Sequence, residues 1–106
     1  MTNPFSNQLV FFGESIPDSN HYLRQLVGYC SGIGTKYYEH LGDNVKFIVT
    51  EDFDSDKVLI SNYLSSITLA KNKDKLINAR LASMQKLTTT EFLEIISNSP
   101  AKAYLK

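Results

Sequence analysis

Leu9-Val10-Phe11-Phe12-Gly13-Glu14, "LVFFGE", places four apolar residues in a row and halts them at a glycine. A run so short and without a polar face suits a strand covered by protein on both sides, the habit of parallel sheets sandwiched between helices. Working outward from it, "VKFIVT" at residues 45–50 is the next clear strand, rich in β-branched and aromatic side chains. Tyr37-Tyr38 and Lys86-Leu87-Thr88 read as two shorter ones.

Helical spacing fills the intervals. Leu23, Leu26, Val27, Cys30 and Ile33 make one stripe, with Asp18 or Ser19 as its cap and Gly32 and Gly34 as its stops. The acidic residues Glu51, Asp52, Asp54 and Asp56 read as a solvated loop. Beyond them Ile60, Tyr63, Leu64 and Ile67 share a helix face, although "KVLIS" alone also suits a strand. Asn72 or Asp74 caps a further helix with Leu76, Ile77, Leu81 and Met84 inward. Thr89 or Thr90 caps the last one, with Phe92, Leu93, Ile95 and Ile96 inward. Strands separated by helices imply parallel pairing, because a parallel neighbour needs a long crossover. The expected fold is α/β, a small four-stranded parallel sheet flanked by helices on both faces.

The 106 residues make one domain, with 42% apolar and 21% charged side chains, ordinary for a folded protein. The expected division is an irregular lead-in at 1–8, the domain at 9–97 and a tail at 98–106. No apolar run is long enough to span a bilayer and no signal peptide opens the sequence. The single cysteine cannot form an internal disulfide. A reducing compartment is therefore expected, not secretion.

Net charge is zero, yet it is unevenly spread. Residues 1–66 hold four basic side chains against eight acidic ones, and residues 67–106 hold seven basic against three acidic, so the halves carry −4 and +4. The basic side chains are densest from 71 to 86, where Lys71, Lys73, Lys75 and Arg80 offer either a solvated helix face or a docking surface for an acidic peptide or phosphate.

Three stretches together resemble a BRCT domain, the interaction module of DNA-repair and checkpoint proteins. "LVFFGES" is similar to that family's first strand and its glycine. "IGTKYYEHLGDNVKFIVTED", residues 33–52, is similar to its turn, second strand, loop and third strand. "KLINARLASMQKLTTTEFLEII", residues 75–96, is similar to its second helix, fourth strand and last helix. The chain departs from the family pattern in three ways. Thr35 follows Gly34 where a second glycine is common, Phe92 stands in for a frequent tryptophan, and residues 53–71 look like an insertion.

The resemblance implies a phosphate-reading corner in some members, built from a hydroxyl at the end of the first strand, the next glycine's N–H and a lysine from the second helix. Here Phe12, Gly13 and Asn78 match those positions. A phenyl ring donates nothing and a neutral amide cannot balance a dianion, so the pocket is expected to be degraded. Ser15 and Lys75 are the two side chains that could restore a hydroxyl and a charge.

No catalytic constellation is legible, no cofactor is implied, and His21, His40 and Cys30 make no metal-ligand spacing. The acidic cluster lacks the glycine and closing glutamate of a calcium loop. The resemblance implies a non-enzymatic protein-protein interaction module of DNA repair, the DNA damage response, replication or chromatin. Such a module is nuclear if eukaryotic and otherwise cytoplasmic. Its partner would be an acidic or phosphorylated peptide or a folded domain, bound outside the degraded pocket. The alternatives are contact with DNA backbone phosphates through the basic helix face, and a receiver- or flavodoxin-like domain with Glu14, Glu51 and Asp52 at its working edge.

Overall fold

A computed structural model describes residues 2–106. Strand β1 (Leu9–Phe12) lies inside a four-stranded, all-parallel sheet between β2 (Ile33–Thr35) and β3 (Phe47–Val49), with β4 (Gln85–Leu87) beyond β3. Val10 is paired with Gly34 on one side and Phe47 on the other. The order β2-β1-β3-β4 explains the greasy run. Val10 and Phe12 point to one face and Phe11 to the other, and all three are buried because each face is covered.

The first face is closed by α1 (Tyr22–Tyr29) and α4 (Thr89–Ser97), which contribute Leu23, Leu26, Val27, Phe92 and Ile96. The second is closed by α2 (Phe53–Ile67) and α3 (Lys73–Ser83), which set Ile60, Leu64, Ile77 and Leu81 over Phe11 and Ile48. Burying each of these side chains contributes about 1.5–3 kcal/mol. Expected α/β layering and four parallel strands are what the fold shows.

Several local expectations are corrected. Strand β2 is Ile33–Thr35, and Tyr38–Gly42 instead winds into a 3-10 helix after Tyr37. Helix α1 ends at Tyr29 because Ser31 turns the chain at φ 64°, so Ile33 leaves the stripe for an exposed sheet edge. Gly34 sits in the strand because the α1 backbone crosses it closely: a Cβ there would lie 2.7 Å from the Cα of Arg24. The expected acidic loop is helical from Phe53 onward, capped by Asp52, whose carboxylate accepts the Ser55 N–H at 3.1 Å. Thr88, one residue before the expected caps, closes a capping box with Glu91 at the start of α4. Leu76 is 46% exposed, not inward.

Phe5 and residues 99–104 belong to the packing. Phe5 from the lead-in is fully buried, stacked on Phe92 with ring centroids 5.4 Å apart and edge-on to Phe47 at 5.1 Å. In the tail, Pro100–Tyr104 forms a 3-10 helix, with Ser99 and Ala101 buried and Tyr104 stacked on Tyr29 at 3.7 Å. The stretch 53–71 carries α2, a wall of the core on its face of the sheet.

Candidate functional site

In a parallel α/β sheet the carboxyl ends of the strands are where ligands are expected, most of all beside the point where strand order reverses. Here that point lies between β1 and β3, and the chain's own Asp56 fills it. Asp56 enters from the first turn of α2 and is 1% exposed. Its Oδ2 accepts the hydroxyls of Ser15 and Thr50, each at 2.6 Å, and its Oδ1 accepts the Ser15 N–H at 3.1 Å. Ser15 Oγ in turn accepts the N–H groups of Glu51 at 2.9 Å and Asp52 at 3.2 Å. The hydroxyls of Ser15 and Thr50 and the N–H groups of Ser15, Glu51 and Asp52 are thus spent on residues of the same chain.

Gly13 is needed for a steric reason. A Cβ at this position would collide with the Asp56 carboxyl group, which its three bonds hold in place. The Gly13 N–H continues the ladder to Val49 O at 2.9 Å, so it has no donor to offer an anion. Phe12 is 2% exposed, its ring edge-on to Phe92 at 5.4 Å.

Phe12 and Asn78 do not share a corner. Phe12 packs on the α1/α4 face of the sheet, whereas α3, which carries Asn78, covers the opposite face. Asn78 opens instead on a polar groove between α2 and α3, beside Ser61, Asn62, Ser65 and Asp74. Neither Asn78 nor Lys75 lines the cleft onto which Gly13 faces. That cleft, at the ends of β1 and β2, is lined by Glu14, Asp18, Arg24, Lys36, Tyr37 and Tyr38 among others. Lys36 is already paired with Asp18 at 2.9 Å, and the ammonium group holds the Asp18 carboxyl below its ordinary value. Burial, then the carboxylates of Glu14 and Asp56, push the Tyr38 phenol above its ordinary value.

The four basic residues singled out from the sequence separate into two groups. Arg80 is half-buried, and its guanidinium donates to the carbonyl oxygens of Leu41, at 2.6 Å, and Asp43. It fastens α3 to the end of the 38–42 turn. Lys71, Lys73 and Lys75 lie at the α2–α3 turn and in the first turn of α3, and among the described residues their ammonium groups meet no carboxylate. Cations there oppose the helix dipole, so they do not serve the stability of α3. The chain on either side of them carries Ile67, Leu69 and Leu76, 48%, 97% and 46% exposed.

Other side chains of chemical interest are occupied. Cys30 is buried, its thiol directed at Ser99 Oγ at 3.4 Å. His40 Nδ1 meets Thr35 Oγ1 at 2.6 Å. Glu51 accepts the Thr89 N–H at 2.7 Å, and hydrogen bonding by Thr89 holds its carboxyl below the ordinary value. The Ser55 backbone and hydroxyl do the same for Asp52.

Asp56 and Thr50 were not singled out from the sequence, since an aspartate within an acidic run reads as solvated. The available signal was the spacing Asp56, Ile60, Leu64, which places the carboxylate on the inward stripe of α2. No protein-family profile, curated protein or solved structure matches the chain.

Proposed function

We propose that this domain is a non-enzymatic protein-interaction module that holds its partner away from the carboxyl edge of its sheet. One observation carries the reading. Ser15, Thr50 and the Gly13 N–H, at the ends of β1 and β3, are committed to Asp56 and Val49, whereas among the described residues the ammonium groups of Lys71, Lys73 and Lys75 meet no carboxylate and the chain beside them carries exposed apolar side chains. A partner with acidic or phosphorylated groups answers that arrangement. The setting in DNA repair, replication or chromatin, and with it a nuclear location in a eukaryote, rests on the BRCT resemblance, which the four parallel strands with helices on both faces support.

Affinity capture with the wild-type domain beside a Lys71→Glu/Lys73→Glu/Lys75→Glu variant tests it. Proteins held by the first and released by the second are the expected result, and identical captures by both contradict it. The same lysines would also suit DNA phosphates. A gel-shift series with short duplexes over rising salt separates the readings, since DNA contact requires binding that falls steeply with salt and is lost in the charge reversal.

A further inference from the structure

Helix α2 is longer than the sheet beneath it. Ile60, Leu64 and Ile67 share one face, yet Ile60 and Leu64 are 0% and 2% exposed while Ile67 is 48% exposed. The apolar stripe therefore runs on past its cover. Leu69, in the turn that follows, is 97% exposed, and Leu76 on α3 adds a third apolar side chain at the same end of the helix pair. Lys71, Lys73 and Lys75 lie between Leu69 and Leu76 in the chain, and among the described residues their ammonium groups meet no carboxylate. The neighbouring carboxylate, Asp74, opens on the polar groove between the helices, beside Ser61 and Asn78.

We propose that this overhang, Ile67, Leu69 and Leu76 rimmed by Lys71, Lys73 and Lys75, is the docking surface for an acidic segment of a partner protein carrying one or two apolar anchor residues. The inference rests on the interaction-module reading and deepens it: carboxylates meet the lysines, and the anchors cover the end of the α2 stripe. Apolar contact supplies most of the affinity and the charges set orientation and rate of encounter. No phosphate is required, because three separate ammonium groups suit dispersed carboxylates as well as one compact dianion.

The experiment is a peptide-display selection of random, unphosphorylated 12-residue segments on the intact domain, followed by affinity measurements on the enriched peptides. Enriched sequences are expected to carry several Asp or Glu residues with one or two Leu, Ile, Phe or Met. Their affinity should fall about tenfold or more in Ile67→Ser/Leu69→Ser, the loss expected when a buried anchor contact worth ~1.5 kcal/mol is removed. It should fall comparably in Lys71→Glu/Lys75→Glu, and both variants replace exposed side chains. Acidic peptides that bind both variants unchanged overturn the location and leave the module reading standing. Acidic peptides that bind equally well with their apolar residues replaced by Ser overturn the anchor. Failure to enrich any peptide overturns the acidic docking segment, and the module reading then stands or falls on the affinity capture described above. Binding to phosphatidylserine vesicles that is lost in Leu69→Ser, without peptide enrichment, assigns the surface to an anionic membrane instead.

Discussion

Ser15 Oγ stands 2.6 Å from Asp56 Oδ2, and this contact ties the loop after β1 to the first turn of α2. The same carboxylate holds Thr50 at the end of β3, so one buried aspartate joins three segments around the place where strand order reverses.

Asp56→Ala should cost about 3 kcal/mol, because two hydroxyls and one N–H lose their acceptor in a buried site. Asp56→Asn should cost less, since the amide oxygen still accepts. Urea unfolding followed by circular dichroism reads both as a shift in midpoint at unchanged slope.

Gly13→Ala should cost about 2 kcal/mol, as the new methyl group collides with the pinned Asp56 carboxyl group. In the Asp56→Ala background the collision partner is gone, so the two losses should fall short of adding. A double-mutant cycle measures that coupling, and strict additivity contradicts the contact.

Arg80→Ala should destabilise the fold by about 2 kcal/mol through the lost bonds to the Leu41 and Asp43 carbonyls. It should leave peptide affinity near that of the wild type. Lys71→Glu should show the opposite pattern, unchanged stability and weakened binding. Thermal unfolding and peptide titration on the two variants separate a structural cation from a recognition cation.

Asp18, Asp52 and Glu51 titrate below their ordinary values of 3.8, 3.8 and 4.5 in the folded chain. Their folded forms bind protons less readily than the unfolded chain does, so the stability they contribute is present above pH ~4.5 and is lost as pH falls through the lower folded values. Denaturation midpoints should therefore drop on acidification below pH ~4.5. The drop should be shallower in Asp52→Asn/Glu51→Gln, whose wild-type carboxylates accept N–H bonds at the starts of α2 and α4.

Much of the fold is legible because its signals are local. Leu9–Phe12 and Phe47–Val49 are dense in apolar β-formers, and the stripe Leu23, Leu26, Val27 can be only a helix. Strand β2 is not legible, since Ile33-Gly34-Thr35 has weak strand propensity next to Tyr37-Tyr38. Its Gly34 is chosen by the close approach of α1, a tertiary fact. The site divides in the same way. Unpaired lysines announce themselves as charge, whereas the burial of Asp56 and the capture of Arg80 by two distant carbonyls depend on how helices and loops pack. Phe12 and the helix that carries Asn78 lie on opposite faces of the sheet, a separation set by how the helices pack and not visible in the spacing of the residues.

The central claim is that recognition occurs at the α2–α3 overhang and not at the strand ends. Backbone amide shifts of the ¹⁵N-labelled domain, followed while the strongest peptide from the display selection is added, test it most directly. The account predicts the largest changes between residues 67 and 76, with Gly13, Ser15 and Asp56 unmoved. Largest changes at Gly13, Ser15 and Glu51 would contradict it.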